Sequence, residues 1–357
     1  MSIPESNLLS LLLRLLKHIS FRRRMQSCLL FILMILASFS EVISIGAIIP
    51  FLGVLTSPET VFNHPYSQPL IQLLNLNEPS QLLLPLTIIF CLGALVSGLT
   101  RLLLLYTLTR LSHSIGHDLS ISIYYRTLYQ PYSVHCARNS SEVISGISNK
   151  TNGVIYSVIC QLLTLISSSF MLLTILFTLI AVEPLIALVT FGGFGLIYIV
   201  IILLTKKQLM IDSKRISRET TNVIKSLQEG LGGIRDVLID GTQSTYCENF
   251  SKADLQLRRA QGNNLFISSS PRFLMEALGM LFISLLAYSL ANKPNGINEA
   301  IPILGALAYG AQRLLPMLQQ AYSAWSNILG AQAILIDIID LLNQKLPKNA
   351  DQLKVKK

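Results

Sequence analysis

The chain has 357 residues, of which 51% are hydrophobic and only 13% charged, against about 25% charge in a soluble domain. That balance excludes an ordinary water-soluble fold and points to the bilayer as solvent. The net charge of +9 would also suit nucleic acid, but the basic residues come in blocks between apolar runs and not along one face, which argues against it. The cysteines (Cys28, Cys91, Cys136, Cys160, Cys247) are scattered with no CxxC, so they spell neither a zinc site nor a disulfide framework. No A-x-A-like cleavage site follows the first apolar run, which is therefore expected to stay as an anchor.

In chain order, Ser6 to Ile19 reads as an amphipathic helix, leucine-rich with Arg14 and Lys17, expected to lie in the inner membrane interface. Six apolar runs follow, near Leu29–Phe51, Leu82–Tyr106, Val154–Ala181, Pro184–Thr205, Leu265–Leu290 and Ala300–Tyr322. Each is long enough to cross a hydrocarbon core about 30 Å thick. Lipid offers the backbone no hydrogen bonds, so helices are the default for all six. Pro50, Pro271 and Pro316 are expected to kink them.

Five basic residues precede the first run, four lie between the second and third, ten between the fourth and fifth, and five follow the sixth; the opposite side holds only Lys293. The positive-inside rule puts both termini in the cytoplasm, as in a multi-pass protein of a bacterial inner membrane. The third and fourth runs meet at Val182–Glu183, a tight outer hairpin, while the outer loop from Leu55 to Gln81 has room for a small helix around His64-Pro65. The two inner loops run to about 47 and 59 residues, too long to be structureless in a compact domain. They read as membrane helices continuing into the cytoplasm and joined there by crosswise turns.

Those inner loops carry a resemblance. The first reads LYQPYSVHCARNSSEVISGISNKTN (Leu128 to Asn152) and the second SLQEGLGGIRDVLIDGTQSTYCENF (Ser226 to Phe250). Both resemble the coupling loops of ABC exporters, which end in short helices that dock on a nucleotide-binding domain. The resemblance covers nearly the whole chain and implies an all-α membrane protein: six transmembrane helices extended into the cytoplasm, the ABC exporter transmembrane-domain fold. It divides the chain into an N-terminal segment 1–24, a transmembrane domain 25–342 and a linker 343–357. It implies that Tyr132, Ser133, Val134 and His135 form one coupling contact and Gly233, Ile234, Arg235 and Asp236 the other.

A narrower likeness, to bacterial lipid-linked-oligosaccharide flippases, rests on SEVISIGAIIPFL (Ser40–Leu52), SSSPRFLMEALGM (Ser268–Met280) and YGAQRLLPMLQQAYS (Tyr309–Ser323). No G-x-x-x-x-G-K-[ST] occurs, and GLGGIR (Gly230–Arg235) follows a polar helix and no strand, so it reads as a turn. ATP and Mg are therefore expected on a nucleotide-binding domain or ATPase subunit outside these residues. The other implied partners are a second transmembrane half, expected to be an identical copy, and membrane lipid.

Arg101, Arg272 and Arg313 remain once the loops are counted. Ionisable residues at membrane depth usually face a bundle interior or water-filled cavity. In the flippases that this sequence resembles, arginines at these positions meet the lipid pyrophosphate, which guanidinium groups grip bidentately. The bland alternative keeps Arg272 paired with Glu276 at i, i+4, lets Arg101 snorkel and gives Glu41 to Arg101 or Arg313 as partner. His113 and His117 have metal-ligand spacing but no third ligand in sight, and a solvated helix face is the simpler reading. No nucleophile and base stand together, so no catalytic residue is expected. Two other functions fit the same features: an exporter half for peptides or other hydrophobic cargo, and a truncated product that transports nothing.

Overall fold

The computed structural model describes residues 8–56, 58–63, 68–74, 78–182, 184–291 and 296–346. Within them the chain is helical, with no strand among the described residues. The helices are α1 (Leu8–Lys17), α2 (Phe21–Thr56), the short α3 (Pro58–Phe62) and α4 (Gln68–Leu74), then α5 (Leu83–Leu128), α6 (Tyr132–Ala137), α7 (Ser140–Ser145), α8 (Thr151–Val154) and α9 (Cys160–Val182). They continue with α10 (Pro184–Gly232), α11 (Ile234–Ile239), α12 (Gln243–Ser269), α13 (Pro271–Ala291), α14 (Gly296–Gly330) and α15 (Gln332–Leu342). Glu183 of the expected outer hairpin, the His64-Pro65 pair and residues 347–357 of the expected linker lie outside the described residues.

The six apolar runs fall on α2, α5, α9, α10, α13 and α14. Phe21–Ser44, Pro79–Leu128, Ser140–Thr178 and Gly192–Gly232 are each helical, long and apolar enough to cross a membrane. The expected continuation beyond the bilayer is plain in α5 and α10, which run unbroken for 46 and 49 residues. The third helix is less regular than its sequence suggests. Between Ser140 and Val182 it contains two π-turns, Gly146–Lys150 and Ile155–Ile159. The Gly146 carbonyl accepts the Thr151 N–H in the widened turn and also the Thr151 hydroxyl, at 2.8 Å.

Two helices break. In the fifth run the kink expected at Pro271 is a division at Ser270, because Pro271 has no N–H to continue the ladder. The sixth helix runs past Tyr322 to Gly330 and then bends by 57° into α15. Gly330 admits a close approach there: a Cβ would lie 2.5 Å from the Asn264 amide, which donates to the Gly330 carbonyl at 3.4 Å, and would displace it. Gly241, with φ of 66°, makes the left-handed turn between α11 and α12.

The largest apolar core lies at the charged end of the bundle. It joins Leu11 and Leu15 of α1, Leu111, Ile115, Leu119 and Ile123 of α5, Val154 and Val158, and Leu335, Ile338, Ile339 and Leu342 of α15. The amphipathic reading of α1 therefore acquires a second partner. Leu11 and Leu15 are buried against protein, whereas Leu9, Leu13 and Leu16 stay exposed. Arg24 folds back to donate to the carbonyls of Leu16, Lys17 and Ile19, capping the end of α1 and complementing its dipole. Arg23 holds Asp118 with two hydrogen bonds, at 2.9 and 3.3 Å, which fixes α2 to α5.

α15 ties the legs together. Lys150 reaches Asp337 at 2.6 Å, Ser217 of α10 donates to the same carboxylate, and the Ala333 N–H donates to Ser213 at 2.9 Å. Beyond α15 the Gln344 and Lys345 carbonyls accept from Arg126 and Gln130 at 3.0 and 3.1 Å. Burial and the neighbouring Asp337 carboxylate push the Asp340 carboxyl above its ordinary 3.8, with Arg14 opposing. The folded state then holds that proton more tightly than the unfolded one. Its contribution to stability is present at low pH and is lost as pH rises through the window above 3.8. Asp340→Asn, which also removes a carboxylate from the last turn of a helix, is expected to raise the melting temperature at pH 7 by about 1 °C. The gain should close below pH 4; a gain that persists there in thermal unfolding contradicts the electrostatic cause.

Candidate functional site

Three polar features stand out from the apolar bundle. The first is a seam between α2 and α5. Glu41 is buried and pairs with Arg101 at 2.8 Å, while Ser97 donates to its other oxygen at 2.6 Å. Next to them the hydroxyls of Ser40 and Thr100 meet at 2.8 Å. Small hydroxyl residues let the two helices approach and bond across their interface. Of the partners that the sequence leaves open for Glu41, the structure gives Arg101.

The second feature is the break between α12 and α13. Pro271 would have been the donor to the Ile267 carbonyl four residues before it, so that acceptor is orphaned. The Tyr322 hydroxyl of α14 takes it at 3.1 Å, and the Gln319 side-chain amide takes the Ser268 carbonyl, also at 3.1 Å. Tyr198 of α10 then donates to the Gln319 oxygen at 3.1 Å. Beside this chain of bonds is a cavity of about 450 Å³ lined by Tyr198, Arg272, Met275, Glu276, Gln312, Leu315, Pro316, Gln319 and Gln320. Arg272 pairs with Glu276 at 2.7 Å, yet its side chain keeps 63% exposure and faces this space. One i, i+4 pair leaves most of the five guanidinium N–H groups available for a further acceptor.

Arg101 and Arg272 thus sit at different helix interfaces, the one between α2 and α5 and the other beside α14. Arg313 is on α14; its side chain lies outside the described residues. The glutamines and Tyr198 were not singled out from sequence. Their signal was there, since Gln312, Gln319 and Gln320 at i, i+7 and i+8 put amides along one face of an apolar helix.

The third feature is the pair of short helices at the charged end. The first holds Tyr132 to His135, and the second begins one residue after Gly233. Tyr132–Ala137 has no buried residue, and Tyr132 is 82% exposed. Ile234–Ile239 buries Val237 but presents Leu238 and Ile239, 60% and 70% exposed, to its surroundings. Gly233 is the N-cap of α11, Arg235 and Asp236 lie in the first turn of α11, and Ser133, Val134 and His135 lie within α6. These apolar side chains are held out on polar legs, away from the apolar band.

His113 takes the Thr109 carbonyl at 2.9 Å and Tyr156 at 3.3 Å. No group of three metal-ligating side chains occurs among the described residues.

Long apolar helices that continue into polar legs and end in short exposed helices are the architecture of a multi-helix membrane domain. The family model for the ABC transporter transmembrane region matches residues 25–292, and the chain belongs to that family. Domains of this family pair with a nucleotide-binding domain and with another membrane half. No curated protein matches the chain.

Proposed function

We propose that this chain is the transmembrane half of an ATP-driven exporter or flippase that moves an amphipathic lipid with an anionic, saccharide-bearing head group. ATP and Mg act on a nucleotide-binding domain that docks on α6 and α11, and two copies of the chain enclose the path. The observation that carries the cargo class is the cavity beside α14. It offers an exposed arginine for a phosphate or pyrophosphate and amides from Gln312, Gln319 and Gln320 for sugar hydroxyls, against the apolar walls of Leu315 and Met275. Peptide or purely hydrophobic cargo would need neither the guanidinium nor the row of amides.

The test uses the chain reconstituted with its nucleotide-binding domain. Arg272→Gln is expected to reduce the ATP hydrolysis stimulated by a lipid-linked pyrophosphate saccharide about tenfold, the loss of one charge-assisted bond. Basal hydrolysis should be kept, because α12, about 40 Å long, separates Arg272 from the docking turn. Equal stimulation of wild type and variant would remove the anionic-cargo reading. Stimulation by peptides in place of the lipid would select the other cargo class.

A further inference from the structure

A second cavity, of about 340 Å³, lies between α2 and α5 at the opposite helix pair from the cargo cavity. It sits where the apolar runs of both helices give way to charge. Leu29, Leu30 and Leu33 form its wall toward the apolar band, and Arg23, Gln26 and Arg110 form its other end. It opens outward: Leu29 and Tyr106 are 62% and 59% exposed.

The charges at its mouth are unequal. Arg23 is neutralised by Asp118 at 2.9 Å and also donates to Gln26. The Arg110 guanidinium stands 5.7 Å from the centre of the Tyr106 ring and has no carboxylate partner among the described residues. A cation stacked on an aromatic face keeps its edge N–H groups free for an anion. The Gln26 amide supplies a further donor. The groove therefore joins one uncompensated positive charge to a leucine-lined wall running along the helices.

From this we infer a binding site for an anionic phospholipid of the leaflet next to the basic end of the bundle. The headgroup phosphate sits on Arg110 and one acyl chain lies along Leu29 and Leu33. Basic pockets between transmembrane helices on the positive side hold anionic headgroups in this way. A zwitterionic lipid brings its own ammonium to the mouth and gains less. Free phosphate gains nothing from the leucine wall. The site lies apart from Arg272, so it binds a resident lipid and not the cargo, and it fixes the α2–α5 pair whichever cargo is carried.

The test needs no nucleotide-binding domain. The full chain, purified in a neutral detergent, is titrated with phosphatidylglycerol or phosphatidylcholine, and bound lipid is counted by native mass spectrometry alongside the melting temperature. Wild type is expected to hold phosphatidylglycerol in preference to phosphatidylcholine and to melt higher with it. Arg110→Gln should weaken retention about fivefold, and Arg110→Lys should restore part of it. Leu29→Glu, at an exposed position that leaves the core intact, should weaken it as well and guards against an unfolded first variant. Equal retention of the two lipids overturns the proposal. So does undiminished retention in both Arg110→Gln and Leu29→Glu, or the same thermal protection from inorganic phosphate alone. A loss of dimer in Arg110→Gln at unchanged lipid count also overturns it, by showing that the groove is covered by a second copy.

Discussion

Replacing Arg101 with leucine is expected to cost about 3 kcal/mol of stability, the low end of the range for breaking a buried pair because Arg101 keeps partial exposure. The variant takes from Glu41, only 1% exposed, the guanidinium that it pairs with in a low-dielectric interface. The desolvation of the buried carboxylate is then less well offset, which loosens α2 from α5. Adding Glu41→Leu should return most of the loss, since an apolar pair of similar bulk is often as stable as the ion pair that it replaces. Thermal unfolding of both singles and the double in detergent gives the coupling energy directly. A fully stable Arg101→Leu single would show that the pair is not structural. The double variant also separates the two roles that the sequence leaves open. If Arg101 serves only the seam, the double transports normally; if it meets cargo, transport stays low in a stable protein.

The second large effect concerns the docking turns. Leu238→Asp together with Ile239→Asp puts two carboxylates on the exposed face of α11. Folding should barely change, because surface substitutions away from caps and cores stay within about 0.5 kcal/mol. Binding of the nucleotide-binding domain should weaken about 30-fold or more, the range for losing an interface hot spot of about 2 kcal/mol. Transport should fall with it, while the separated motor keeps its own ATP hydrolysis. The readout is co-purification and transport in vesicles; full transport by the double variant would place the docking surface elsewhere. Tyr132→Ala on α6 should show the same defect in a milder form, since it removes contact area without adding charge.

What the sequence made legible was local. The apolar runs marked the spanning helices, and the wording around Tyr132 and Ile234 pointed to two stretches that the structure shows as short helices. Spacing alone paired Arg272 with Glu276, and Pro271 foretold a fault in the fifth helix. What stayed hidden was partnership between segments far apart in the chain. Nothing near Pro271 says that Tyr322 and Gln319 will take the carbonyls that it orphans, because that depends on how α14 lies against α12. The choice of Arg101 for Glu41 spans sixty residues and required the register of α2 on α5. The contact at the Gly330 bend was invisible for a similar reason: only the packed structure brings the Asn264 amide to the Gly330 carbonyl. The π-turns before α9 carry no proline or glycine pair that would have announced them.

The 49 residues of α10 give a rod about 74 Å long, of which a hydrocarbon core of about 30 Å takes less than half. In the proposed function the part beyond the bilayer, about 44 Å, is the longer arm of a lever with its fulcrum at the membrane boundary. A displacement of about 4 Å at the Gly232 end then becomes about 3 Å at the far face of the bilayer, as long as the rod stays stiff. The gearing is therefore set by helix length alone. Shortening the leg by two turns would lower the stroke at the docking end in proportion, without touching any residue that meets motor or cargo.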